Sequence, residues 1–391
     1  MAKLVYTGPQ SIDKSGWLHK SGASLGLRTR RFFRLQGSML SNHYDENSVA
    51  KWTVDVFHCE LKIDEKSRMI TIVTTDKTHN FYADSREDFE EWARSFKRAT
   101  ATSIEDFYEI RDVIGTGAYG KVFLARDRIT HEERAVKVIK KNFNDERAMN
   151  YLRREIKILL STSHPNVINT YDIFDGRDRL YFVMEYLAGG ELFDIIAEQT
   201  HFSEPQARDV MGQILDGVAY LHSNNIVHRD IKPENILALK KEWPLKVKLT
   251  DFGLSNLMDN SLLISYVGTP YYQAPEIYEK KMYGTQVDVW ACGVVLYILL
   301  SGKFPFWGRS EHEYWGRVYK GVNFPSREWE LVSEEAKDLV TSMLQISPDT
   351  RPTADIARQH RWFSAPESKM NRDGSSFKSF HSSKRGSFRM S

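Results

Sequence analysis

Two short polar runs constrain this chain more than any other feature. His228-Arg229-Asp230-Ile231-Lys232-Pro233-Glu234-Asn235 comes first, and Asp251-Phe252-Gly253 follows, with Asp251 lying 21 residues after Asp230. Asp230 offers a carboxylate that accepts or orients the proton of an alcohol, and Lys232 is close enough to reach a transferring phosphate. Asn235 and Asp251 are hard oxygen donors of the kind magnesium requires on nucleotide phosphates. Either run alone would carry little. In this order, with a glycine loop and a lysine upstream, they point to phosphoryl transfer.

The glycine loop is Gly115-Thr116-Gly117-Ala118-Tyr119-Gly120-Lys121-Val122, preceded by Ile114. Glycines let a backbone approach phosphates and aim its amides at them. A dinucleotide-binding fold would need a helix directly after the glycines, but Val122-Phe123-Leu124 reads as strand. Lys137 follows inside the apolar run Arg134-Ala135-Val136-Lys137-Val138-Ile139. A buried ammonium needs a partner. Glu155, on an amphipathic helix expected over residues 147–160, would pair with Lys137 and aim it at the α- and β-phosphates.

The segment from Asp251 to Glu276 reads as an activation loop, and Ser265, three residues before Gly268, is the expected regulatory phosphosite, with Ser261 second. Arg229 is a candidate buried cation for that phosphate. Glu276 needs a counter-charge if buried, and Arg351 is its expected partner. His228 and Phe252 are read as packing.

Length implies two or three domains. Lys and Arg exceed Asp and Glu by only two, so bulk charge implies no nucleic-acid partner. Cys59 and Cys292 form neither a disulfide framework nor a zinc site. The N-terminal stretch lacks a long apolar core, Ala2 follows Met1, and Val294 to Leu300 is the longest apolar run. Signal peptide, myristoylation and a membrane span are therefore not expected, and a cytoplasmic protein is.

Residues 12–100 read as short strands (Gly16 to Lys20, Arg31 to Leu35, Met69 to Val73) closed by a helix over residues 85–97 with Phe89, Trp92 and Phe96 on one stripe. Residues 99–103 read as a linker. A second domain is expected over residues 107–363, beginning with strands and turning helical. Residues 364–391, rich in Ser, Lys and Arg, are expected to form a disordered tail.

The motifs of the second domain, in full order, resemble the eukaryotic protein kinase family. The resemblance implies a bilobal fold, ATP and magnesium as nucleotide and metal, Met184 as gatekeeper, Glu185 and Leu187 at the hinge, and Glu191 near the ribose. Val287 to Val294 and the ending Gln359 to Phe363 are similar to the calcium/calmodulin-dependent kinase group. Glu191 and Glu234 match positions at which basophilic relatives hold an arginine three residues before the acceptor, implying Arg-x-x-Ser/Thr substrates. Arg372-x-x-Ser375 and Lys384-x-x-Ser387 in the tail are then candidate autophosphorylation sites.

Gly16 to Lys20, Phe33 and Trp92 resemble a pleckstrin homology (PH) domain, a small β-barrel or sandwich capped by one helix. The whole is thus expected to be α+β. Lys20 and Arg31 keep the spacing of phosphoinositide-binding members. Arg28, Arg30 and Tyr44 are further headgroup candidates, although on a strand of period two Arg28 and Arg30 should point differently from Arg31. A phosphoinositide-bearing membrane is thus one expected partner, with peripheral recruitment. The alternatives are a lipid-binding scaffold with a non-catalytic kinase domain, a PH domain that restrains catalysis through protein contacts, and a protein kinase B-type enzyme. Intact Lys137, Glu155, Asp230, Asn235 and Asp251 speak against the scaffold.

Overall fold

The computed structural model describes residues 13–21, 28–57, 59–74, 76–100, 104–117, 120–140, 159–175, 179–252 and 271–364. The N-terminal unit is one antiparallel sheet of seven strands in the order β4-β3-β2-β1-β7-β6-β5. These are β1 (Asp13–Ser21), β2 (Arg28–Gln36), β3 (Met39–His43), β4 (Trp52–Asp55), β5 (Glu60–Asp64), β6 (Met69–Val73) and β7 (Thr78–Tyr82). Leu18, Phe33, Leu35, Ile70, Ile72 and Phe81 bury one face. Four strands, β3, β4, β5 and β7, are not among those expected from the sequence. In β3 and β7 the buried polar residues Asn42, His43 and His79 blunt the apolar alternation, whereas β4 and β5 do alternate, with Trp52 and Val54, and Leu61 and Ile63, half-buried on one face.

Helix α1 (Arg86–Thr100) closes the sheet with Phe89, Trp92 and Phe96. Its start is capped by Ser85, whose Oγ accepts the Asp88 N–H at 3.0 Å. The helix runs through Ala99 and Thr100, which the sequence reading had placed in a linker. Ala99 is buried in the core, and the Thr100 hydroxyl donates to the Phe96 carbonyl at 2.9 Å. Small residues pack closely, so their size alone did not mark them as linker.

After a 3₁₀ turn (Ile104–Asp106), a five-stranded sheet forms in the order β11-β12-β10-β9-β8. Its strands are β8 (Tyr108–Gly117), β9 (Gly120–Asp127), β10 (Glu133–Lys140), β11 (Thr170–Asp175) and β12 (Arg179–Glu185). The glycine loop therefore joins two strands, with Gly117 facing Gly120 across the hairpin. Of the helix expected over residues 147–160, only the final residues are described; there Leu159 is buried. Arg98, in the last turn of α1, sits over the Phe107 ring at 5.7 Å and joins the two units.

The larger part is helical: α2 (Leu192–Gln199), α3 (Glu204–Ser223), α4 (Gln286–Ser301), α5 (Glu311–Val318) and α6 (Glu334–Met343). Every residue of α4 from Val287 to Ser301 is buried, which explains its apolar run as core. Among the described residues no helix is long and apolar enough to cross a membrane. The expected Arg351–Glu276 pair is present at 2.7 Å and almost wholly buried. Arg351 also donates to the carbonyls of Gln286 and Gln345, so the pair pins the chain preceding α4 to the segment after α6. The α+β architecture matches the sequence reading.

Candidate active site

Between the five-stranded sheet and the helices lies a cleft of about 600 Å³. The hairpin of β13 (Ile236–Ala238) and β14 (Val247–Leu249) forms part of its floor. Ile114, Gly115, Thr116, Gly117, Gly120 and Val122 line the cleft from the glycine hairpin, with Lys137 beyond them. Gly120 has φ +142°, and a Cβ there would lie 2.0 Å from the Val138 carbonyl, so only glycine is tolerated. Gly117 differs: among the described residues beyond its chain neighbours, a Cβ there would meet no atom within 4 Å. The missing side chain at Gly117 leaves room for a ligand rather than relieving a protein clash.

The catalytic loop is held from below by Asp288 of α4. Its carboxylate accepts the backbone N–H groups of His228 and Arg229, both at 2.8 Å, and lies 2.9 Å from His222 Nε2. Asp288 is fully buried, and Arg229 takes a left-handed φ of +70° beside it. Such backbone strain persists only where the surroundings over-determine it. The clamp fixes Asp230 at the mouth of the cleft. Lys232 Nζ lies 2.9 Å from both Asp230 oxygens, and the Asn235 amide donates to Asp230 Oδ2 at 2.7 Å and to its carbonyl at 2.8 Å. With its nitrogen committed, Asn235 keeps its side-chain oxygen as an acceptor.

Asp251 also takes a left-handed φ, +66°, and its Oδ2 lies 2.7 Å from Lys137 Nζ. Asn235 and Asp251 thus bring two hard oxygens to one end of the cleft, beside a cation and beneath the open glycine hairpin. This donor set fits magnesium held jointly by the protein and by nucleotide phosphates.

Glu155, Ala118, Tyr119, Ser261, Ser265 and the tail lie outside the described residues. Lys121 does not line the cleft, because on a period-two strand Gly120 and Val122 take that face and Lys121 is exposed. Arg229 is exposed, not buried, and lies 5.7 Å from the Tyr283 ring. Glu185 lines the cleft, but its carboxylate turns to Lys248 at 2.7 Å and Asn169 at 3.2 Å, so its contribution to a ligand is main-chain. Leu187, Glu191 and Met184 line the cleft directly. Ala135, Ile168, Leu237 and Thr250 do so as well, and the sequence reading did not select them. Ala135, Leu237 and Thr250 each lie within two residues of a motif residue, a signal that was available; Ile168 is an apolar residue that only its pairing with Leu249 brings in.

At the outer mouth, burial raises the Glu191 carboxyl above its ordinary range, reinforced by Asp194, Glu234 and Asp251. Among the described residues, Glu234 Oε2 is buried with no hydrogen-bond partner.

The N-terminal sheet carries a second cavity, of about 510 Å³. Lys20, Arg31, Lys51 and Lys77 line it, and among the described residues Asp76 is its one carboxylate. Burial lowers the Lys20 ammonium, and Lys77, Lys51 and Arg31 lower it further. Tyr44 does not line the cavity; it braces it, with Arg31 and Lys51 over its ring at 5.0 and 5.2 Å. Arg28 and Arg30 lie on the opposite face of the sheet, stacked on Tyr82 and Trp17. Lys51, just before β4, and Lys77, just before β7, lie far in sequence from the basic run of β1 and β2, so no local cluster announced them.

Fold and cleft together define a protein kinase catalytic domain behind a PH domain. Comparison with known families agrees: a protein kinase domain matches residues 108–363, and a PH domain matches residues 12–101. The chain belongs to the protein kinase family and is a protein serine/threonine kinase of the calcium/calmodulin-dependent kinase type. It is 41% identical over 272 residues to calcium/calmodulin-dependent protein kinase type 1B of Rattus norvegicus, covering 69% of this chain and 78% of the relative. Against the type 1 enzyme of Caenorhabditis elegans it is 38% identical over 268 residues, 68% of this chain and 77% of the relative. Against the type II enzyme of the same organism it is 39% identical over 264 residues, 67% and 37% of the two chains.

Proposed function

We propose that this kinase transfers the γ-phosphoryl group of ATP to Ser or Thr in segments carrying Arg or Lys three residues before the acceptor. Bound magnesium neutralises the charge of the phosphates, and Asn235 and Asp251 would hold it. Lys137 pairs with phosphate oxygens beneath the glycine hairpin. Asp230 orients the acceptor hydroxyl and takes its proton as the new O–P bond forms and the bond to ADP breaks. Lys232, tethered to Asp230, follows the charge on the transferring group. Asp288, through the two amides it grips, keeps Asp230 in line.

The observation that carries the basophilic reading is the pair Glu191 and Glu234. A buried carboxylate oxygen without a donor is costly, and an incoming guanidinium relieves both that cost and the repulsion between the two acids. Peptides differing only in Arg or Ala at that position test it. We expect the Arg peptide to be favoured by about tenfold to a hundredfold in kcat/KM, as charge-assisted hydrogen bonds imply, and the preference to shrink in Glu234→Gln. An undiminished preference in that variant, or none in the parent, removes the reading.

The basic cavity of the PH domain supports a second element: capture of an anionic lipid headgroup by Lys20, Arg31, Lys51 and Lys77, which would recruit the kinase peripherally to a membrane. Lys20 is lowered first by burial and then by repulsion from Lys77, Lys51 and Arg31, and relief of that repulsion favours such a ligand.

A further inference from the structure

The five-stranded sheet is joined edge to edge. In the order β11-β12-β10-β9-β8, strands β8 and β11 are the opposite edges, yet Tyr108, the first residue of β8, donates its hydroxyl to Asp172 Oδ2 on β11. Both residues are buried, and neither lines the cleft. Phe107 and Tyr108 also pack on Phe174 of β11, with ring centres 5.1 and 6.0 Å away. These contacts close the curl of the sheet.

Asp172 is only half satisfied by this closure. Among the described residues, its Oδ1 is buried without a hydrogen-bond partner. Burial raises its carboxyl to about 6; the Tyr108 hydroxyl and then Arg98 pull it down, Asp127 opposes them, and Arg134 adds the smallest pull. Arg134 is already committed to Glu132 and to the Tyr171 ring at 4.3 Å. The remaining counter-charge, Arg98, does not belong to the sheet. It comes from the last turn of α1 in the PH domain and lies half-buried, 5.7 Å from the Phe107 ring.

Neighbouring contacts hold α1 in that position. Arg128, in the turn between β9 and β10, donates its backbone N–H to the Phe107 carbonyl and its Nε to the Glu105 carbonyl, both at 2.9 Å. Ile129 of the same turn shares a cavity of about 240 Å³ with Lys14, Glu91, Arg94 and Arg98 of the PH domain. From Tyr108, β8 runs as an edge strand with two breaks in its register against β9, and it ends in the glycine hairpin. A strand paired on one side only, and interrupted there, takes its path from where its start is anchored.

We propose that Arg98 is a positioning residue lent by the PH domain to the kinase: it caps the Tyr108–Asp172 closure and so fixes β8 and the glycine hairpin over the nucleotide. The PH domain is then part of the catalytic scaffold as well as an address. This inference rests on the reading of the cleft as a nucleotide site.

The test uses the full-length chain. Arg98→Gln should raise the KM for ATP by about threefold to tenfold, the range of contacts that couple distant sites, while kcat falls less than twofold and the KM for peptide stays put. A merely structural loss would instead lower the active fraction, and thus kcat, at constant KM. Arg98→Lys, which keeps the charge, should restore most of the ATP affinity. Arg94→Gln, one turn earlier on α1, should change nothing. In an Asp172→Asn background, Arg98→Gln should have little further effect, because the carboxylate it serves is gone. Hydrogen exchange supplies a readout without ATP: amides of β8 and the glycine hairpin should exchange at least about threefold faster in Arg98→Gln, with the β13–β14 hairpin unchanged. The proposal is overturned if the KM for ATP does not move, or if it moves equally in the Asp172→Asn background. Unchanged exchange along β8 also overturns it. A parent that turns over no ATP would fail the cleft reading instead, and exchange along β8 would still decide the role of Arg98.

Discussion

The catalytic cleft and the basic cavity of the N-terminal sheet are close in size, about 600 and about 510 Å³, and opposite in electrical design. At the end of the cleft where phosphate would transfer, polar groups are paired before any ligand arrives: Lys137 with Asp251, Lys232 with Asp230, and the Asn235 amide with Asp230. Groups already paired keep their geometry and need little reorganisation when charge moves, as a reaction requires. In the cavity, lysines and an arginine face one another across a single carboxylate among the described lining residues, and burial together with the like charges pushes Lys20 down. That arrangement stores repulsion which an anion releases, as binding requires and chemistry does not. Two sites of one chain that both address phosphate thus differ in whether the counter-charges are built in.

Variants should separate the two designs. The largest effect is expected for Lys137→Met, which leaves Asp251 without its partner and the phosphates without their cation. Phosphate transfer to a basic peptide should fall about a thousandfold, within the range of lost electrostatic stabilisation. Survival of more than a tenth of the rate would mean that the matched pair is merely structural. Glu276→Gln provides the structural contrast: it strips a partner from a buried arginine far from the chemistry, so it should cost about 3–5 kcal/mol in chemical denaturation. Lys20→Gln with Arg31→Gln should weaken binding to phosphoinositide vesicles by about tenfold to thirtyfold, at roughly 1 kcal/mol per basic residue. Unchanged vesicle binding would remove the cavity from the account.

The smallest effect is a pH dependence at His79, which lines the cavity. Burial, then Lys20 and Lys77, lower its pKa from 6.5 to about 4. Its folded pKa is depressed, so the unfolded chain binds more protons between those values and stability falls as pH drops through that window. Discounted for solvent screening, the loss should be about 1 kcal/mol, and it should be absent in His79→Gln. Filling the cavity with inositol trisphosphate should move the titration upward, since an anion offsets the two lysines. A downward or absent shift would mean that the ligand binds elsewhere.

The chemistry of the cleft was legible because its key residues stand in contiguous runs. The motif around Asp230, the Asp251 turn and the glycine hairpin each announce themselves within ten residues. What organises them was not. Asp288 lies 58 residues beyond Asp230 in sequence and meets its loop only when α4 packs beneath it, a non-local contact without a periodic signal. Lys121 was misassigned because a motif is read as a string whereas strands divide their residues between two faces. The same alternation split the basic run of β2, sending Arg31 to the cavity and Arg30 to the outer face. Polar cores hid β3 and β7, where Asn42 and His79 are buried.

The central claim is that Asp230, held by Asp288, Lys232 and Asn235, lies where an acceptor hydroxyl must lose its proton. The direct measurement is the turnover of magnesium-ATP and an Arg-x-x-Ser peptide by the parent and by Asp230→Asn, with melting temperatures recorded alongside. The parent should phosphorylate the peptide, and the variant should fold normally yet turn over about a hundredfold to ten-thousandfold more slowly. A variant as fast as the parent, or a parent that transfers no phosphate at all, would contradict the account.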